Sequence, residues 1–152
     1  MEYPMATQIL DRALGELLPR ARQVFEQDLR TTDVIAVAGR FDTDEPNVYI
    51  LSQHRFTAQA QLVFAARRSR LHYVAIARIL KNKNGLPTTL QVLEITAAGV
   101  IERTAGVVNF REGSESIMLG GLGPARRLAT AASTFDFEGV RALLHPANPA
   151  TS

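Results

Sequence analysis

The chain has no cysteine. That removes disulfide bonds, thiol nucleophiles and cysteine-ligated zinc or iron–sulfur sites from its chemistry. It fits a reducing compartment, and a cytoplasmic location is expected. No apolar run approaches the about 18 residues that suggest a membrane span. The first residues carry Glu2 and lack both a basic flank and an uninterrupted apolar segment, so a secretory signal is not expected there. No calcium loop is expected either: the acids of 42–46 lack the spaced ligands and glycine that calcium requires. The three histidines, His54, His72 and His145, have no metal-ligand spacing, and Ser114 and Ser116 lack a nucleophile-elbow context. No cofactor or metal is expected.

One absence is local. No acidic residue lies between Glu45 and Glu94, whereas the interval holds Arg55, Arg67, Arg68, Arg70, Arg78, Lys81 and Lys83. The formal net charge of the whole chain is only +2, so the remainder is net acidic. Such asymmetry marks either a surface for nucleic acid or another anionic partner, or internal pairing against the acidic remainder. Arg55, Arg67, Arg68, Arg70, Lys81 and Lys83 are the candidate anion- or nucleic-acid-binding residues. No recognition-module signature and no interleaved aromatic platform accompanies them.

With 152 residues, 46% of them hydrophobic, one domain over 1–146 is expected, followed by a disordered tail over 147–152. The best-patterned stretch runs from Arg70 to Phe110 and predicts three consecutive antiparallel strands, 71–80, 88–96 and 100–110. Asn84-Gly85 predicts a two-residue type I′ hairpin that sets Ile76 opposite Leu93 and Ala75 opposite Glu94. A second two-residue loop at Ala98-Gly99 would set Glu94 opposite Arg103, a favourable cross-strand pair, whereas a three-residue loop with a bulge at Gly99 would set it opposite Glu102, a like-charge pair. One face then carries Val74, Ile76, Leu93, Ile95 and Val108 as core. The other carries Tyr73, Ala75, Ala77, Val92, Glu94, Arg103, Ala105 and Val107. Small residues beside a charged pair predict either a ligand cavity, with Tyr73, Glu94 and Arg103 as ligand-binding residues, or a closely packed helix with the ion pair at its rim.

Around this meander, leucines spaced by three and four predict a helix over 6–30, kinked or divided near Leu18 by Pro19. Short strands follow at 34–38 and 48–51. A helix from Ser52 to about Ser69 has Phe56, Ala60, Val63 and Phe64 as its apolar stripe and basic residues in its last turn. A fourth strand of the meander follows at 116–119. Gly120, Gly121 and Gly123, with Pro124 opening a helix over 125–132 and Arg126 and Arg127 beside it, form a possible anion loop. A last helix spans 136–144.

The fold class is therefore α+β: an antiparallel sheet of five to six strands, a long kinked N-terminal helix, a second helix packed on one face, and two short C-terminal helices. This element order is similar to cystatin-like cones, the fold shared by nuclear transport factor 2, and to profilin-like sandwiches. Such folds host enzymes and binding modules alike. The expected function is a non-enzymatic binding or interaction module for an anionic small ligand or a protein partner, acting as a homodimer through a sheet face or the N-terminal helix. The alternatives are a nucleic-acid-associated protein using the segment 55–83, and a small-pocket enzyme acting through Tyr73, Glu94 and Arg103.

Overall fold

The computed structural model describes residues 6–30, 34–41, 48–52, 55–111, 113, 116–128 and 137–146. The expected tail over 147–152 and the acidic turn over 42–46 lie outside them. Helix α1 (Ala6–Gln27) is followed by strands β1 (Val34–Gly39) and β2 (Val48–Ser52), helix α2 (Arg55–Arg68) and the meander β3 (Tyr73–Lys81), β4 (Pro87–Thr96) and β5 (Gly99–Phe110). Two short strands, β6 (Ile117–Leu119) and β7 (Arg126–Arg127), and helix α3 (Phe137–Arg141) complete the order. The sheet runs β2-β1-β3-β4-β5-β6, with β7 also paired to β5, and is curled as a half-barrel. The pairings are antiparallel throughout.

The sequence of β1, VIAVAG, is buried at all six positions. A strand apolar on both sides needs cover on both faces, and the helices divide accordingly. On one face α1 lays Leu10, Ala13, Leu14, Leu17, Ala21 and Phe25 over Ile35, Val37, Tyr73, Ala75, Ala77, Leu90, Val92 and Ala105. On the other, Ala58, Leu62 and Ala66 of α2, with Val140 and Leu144, pack on Val34, Ala36, Ala38, Val74, Ile76, Leu93 and Ile95. The expectation of both long helices on one face is thus corrected. The alanines of β3 do what the closely packed helix required: without long side chains, they let α1 approach the strand.

The α1 helix continues through Pro19 rather than dividing into two. Pro19 is exposed, as is Gly15, the residue whose carbonyl the missing N–H would have served, so water can take that bond.

The first hairpin has the expected register, with Ile76 opposite Leu93 and Ala75 opposite Glu94, but a different turn. Gly85 has φ 81°, and no non-glycine described residue has positive φ, so a type I′ turn with Asn84 is not formed. Instead Asn82 organises a three-residue loop. Its Oδ1 accepts from the N–H groups of Asn84 and Leu86, and its carbonyl accepts from the Gly85 N–H at 2.9 Å. A bulge between Leu80 and Lys81 absorbs the added residue and restores the register beyond it.

The second turn sits at Ala97-Ala98, one residue earlier than expected, with Thr96 opposite Gly99. Glu94 therefore faces Ile101, and Arg103 faces Val92. The two-residue slip leaves every side chain on its expected face, because the strand period is two. Val108 is the exception among the expected core residues: it is 62% exposed. Past Gly106 the neighbour of β5 is only the short β6, with a register shift between Val107 and Asn109.

The C-terminal region differs most. Where a helix over 125–132 was expected, Arg126–Arg127 form β7, opposite Glu102 and Ile101. The segment after β6 is drawn along the β5 edge by Gly120 N–H to Gly106 O, Gly123 N–H to Thr104 O and Leu128 N–H to Val100 O. A Cβ on Gly123 would meet the Thr104 carbonyl oxygen at 3.2 Å, so the glycine serves close backbone approach.

This layering predicts unequal costs along the helices. Leu17→Ala, at a fully buried position, should lower unfolding stability by about 2–5 kcal/mol in urea denaturation. Phe64→Ala, expected from the sequence to be a core deletion, should change it by less than about 0.5 kcal/mol, because the ring is exposed.

Candidate functional site

The expected ligand-binding trio is brought to one sheet face, with Tyr73 and Glu94 buried and Arg103 partly exposed. Tyr73 is fully buried under α1 and stacks on Phe41 at 5.6 Å between ring centroids. Glu94 is also buried, and its Oε1 lies 3.5 Å from the Nε of Arg103, a diagonal rather than directly opposite pair. Burial pushes the Glu94 carboxyl above its usual range; the Arg103 charge opposes this and Asp11 of α1 adds to it. A carboxylate made costly by desolvation and only partly compensated is a rim contact beneath a helix.

The sequence missed a second polar cluster on the opposite face. Arg78 Nε donates to Gln91 Oε1 at 2.7 Å, Gln91 Nε2 donates to Glu102 Oε2, and Arg126 donates to Glu102 Oε1 through Nε at 2.7 Å and Nη2 at 2.6 Å. This ladder crosses β3, β4, β5 and β7. Burial works to raise the Glu102 pKa, but the hydrogen bonds from Gln91 and Arg126 and the charges of Arg126 and Arg78 outweigh it and hold the carboxyl below its usual range. The signal was the alternation along β4 and β5, which puts Gln91 and Glu102 on a buried face. Recognising it required knowing that Arg126 lies on a strand.

The possible anion loop does not form. Its premise was a helix N-terminus after Pro124, and the chain there is extended. The N–H groups of Gly120 and Gly123 are donated to β5 carbonyls, and the Gly120 carbonyl accepts from Arg22 Nη2 at 2.6 Å. Arg126 is committed to Glu102, Gly121 is exposed, and Arg127 is exposed at the β7 edge.

The basic residues separate into two groups. Lys81 and Lys83 lie at the β3–β4 hairpin, and Arg67, Arg68 and Arg70 lie just before the other end of β3. A nine-residue strand separates them, about 26 Å at the usual rise. Arg55 opens α2 just beyond Ser52, and Ser52 shares the partner Val34 with Arg78, which places the start of α2 at the hairpin end. One continuous basic face over 55–83 is therefore replaced by two poles.

The pole at the end of α2 contains the residue that the sequence misassigned. The inward stripe of α2 is Ala58, Leu62 and Ala66, whereas Ala60 and Phe64 face solvent; the side chain of Phe56 lies outside the described residues. Phe64 is 62% exposed, and the Arg68 guanidinium carbon lies 5.4 Å from its ring centroid. Arg67, Arg68 and Arg70 are all exposed, and among the described residues none of them is in an ion pair. His145 lies nearby, its N–H bonded to the Leu71 carbonyl and its ring 6.3 Å from that of His72. His72 Nδ1 accepts from the Phe41 N–H, which orients the imidazole.

Among the described residues no group of three His, Cys, Asp or Glu side chains is placed to hold a metal, and no helix is long and apolar enough to cross a membrane. A surface depression of about 320 Å³ is lined by Asn109, Arg111, Ser116, Ile117 and Met118, none of them an expected site residue.

The two buried glutamates should respond oppositely to pH. Glu102, with its lowered pKa, contributes stability above the ordinary carboxylate range and loses it as pH falls through the folded-state value. Glu102→Gln should cost about 1–3 kcal/mol at neutral pH, with the deficit shrinking in acid. Glu94, with its raised pKa, contributes most below the ordinary range and loses that contribution as pH rises through the folded-state value. Glu94→Gln should therefore gain on the wild type as pH rises above the ordinary carboxylate range when urea midpoints are compared. A Glu94→Gln deficit that grows with pH would refute this assignment.

No family model, no curated protein and no solved structure matches this chain, so its site stands on its own geometry.

Proposed function

We propose that the protein is a non-catalytic binding module that holds an anionic partner at the C-terminal end of α2. The observation that supports this is the exposed Phe64 ring with Arg68 beside it, at a helix end that also carries Arg67 and Arg70, three guanidinium groups outside any ion pair of the described residues. Positive charge in a last helical turn also favours the helix dipole, by about 0.3–1 kcal/mol per charge. That accounts for arginine there but not for a large apolar ring held in water beside it.

The other readings have less support. Catalysis through Tyr73, Glu94 and Arg103 has less support because Tyr73 and Glu94 are buried. The sheet faces and the α1 stripe that were to join two copies are engaged within one chain, so the proposal does not rely on a homodimer. Helices on both faces favour a profilin-like reading of the fold over a cystatin-like cone that leaves one face open. A cytoplasmic place of action belongs to the same proposal and is supported by the lack of cysteine.

Retention on an immobilised phosphate polymer tests the site. The wild type should be held at about 50 mM salt and released steeply as salt rises. The combined Arg67→Gln, Arg68→Gln and Arg70→Gln variant should elute well ahead of it, while Lys81→Gln with Lys83→Gln should stay close to the wild type. Wild-type flow-through at low salt, or a triple variant that elutes with the wild type, would sink the proposal.

A further inference from the structure

The arginine pole alone would accept any polyanion; the ring beside it narrows the partner. Phe64 precedes Arg67 by three residues and Arg68 by four, the spacings at which helix side chains are neighbours. Arg67 and Arg68 are therefore both neighbours of the exposed ring, the Arg68 guanidinium carbon lying 5.4 Å from its centroid, and Arg70 follows just past the helix end. We propose, resting on the anionic-partner reading above, that this pole takes single-stranded nucleic acid, with Phe64 stacking one base and Arg67, Arg68 and Arg70 meeting the adjoining phosphates.

Three physical arguments select this occupant. A second copy docking with this pole on a two-fold axis would set these three arginines against the same three. An anionic lipid surface is bound by helices with a free apolar side, and the apolar side of α2 is already spent on Val34, Ala36 and Val74. A closed duplex hides its base faces, whereas an unpaired strand offers them to an aromatic ring or a guanidinium plane. Arg68, whose guanidinium carbon lies 5.4 Å from the Phe64 centroid, is itself exposed. DNA and RNA strands share this chemistry.

Fluorescence anisotropy with labelled oligo(dT), oligo(U) and an abasic strand carrying the same phosphates, each about ten nucleotides, separates the contributions of ring and charge. The wild type should bind at least one base-bearing strand about tenfold more tightly than the abasic strand. Phe64→Ala should remove that excess while leaving abasic binding unchanged, and Phe64→Tyr should retain it. Because Phe64 is exposed, the variants should keep the wild-type far-UV circular dichroism. The relative affinities for oligo(dT) and oligo(U) identify the strand. Equal wild-type affinity for abasic and base-bearing strands, with no effect of Phe64→Ala, would overturn this inference and leave the broader anionic reading standing. No binding to any of these strands or to inorganic polyphosphate at low salt would remove both.

Discussion

A strand that is apolar on both sides cannot sit at a water-facing sheet surface, and β1 is such a strand. Val34, Ala36 and Ala38 point one way, Ile35 and Val37 the other, and all are buried. Each face therefore needs its own helix. The longer one, α1, takes the face where Ala75 and Ala77 let it approach closely. The shorter one, α2, takes the other and packs on it through Ala58, Leu62 and Ala66, with Ala65 partly buried beside them. A helix that packs through so narrow a stripe leaves most of its circumference in water. Phe64, Arg67 and Arg68 occupy that circumference, so the candidate binding pole is a consequence of how the two faces were covered.

The two buried glutamates show how one residue type acquires opposite characters. Glu102 has donors on both carboxylate oxygens, from Gln91 on one side and Arg126 on the other, and is held ionised. Glu94 has only a 3.5 Å approach from Arg103 and an unfavourable neighbour in Asp11, and burial prevails. The first fastens the irregular C-terminal edge to the sheet; the second sits under α1 as a tolerated cost. A charged pair among small residues on a sheet face was consistent with a pocket. The helix α1 packs on that face, and Tyr73 and Glu94 are buried there.

Much of the frame was legible in the residues. The periodicities of α1 and of β3 to β5 were long enough to place those elements closely, and the hairpin register followed from alternation even though the turn chemistry differed. Asn82 rather than Asn84 closes that turn, and a bulge compensates. Such compensation is invisible to a count along the chain. The glycine-rich stretch at 120–123 misled because glycine before an arginine-bearing segment is equally compatible with a helix entry and with a backbone pressed against a neighbouring strand. The β5 carbonyls that choose the second option are 14 to 19 residues away in sequence.

By itself, the sequence determined the α+β class, the antiparallel meander and which residues of β3, β4 and β5 share a face, because strand alternation is a local property with a period of two. It also determined the acid-free basic interval. Tertiary structure decided which helix covers which face, that Glu94 is buried, and how the basic interval divides between the two ends of β3. It decided, too, that Phe64 points outward. The reason is common to all four. A side chain's exposure depends on what is packed against its element, and in α2 the apolar residues lie on more than one side. Periodicity alone could not say which side would meet the sheet until β1 and β2 had claimed the alanines and Leu62.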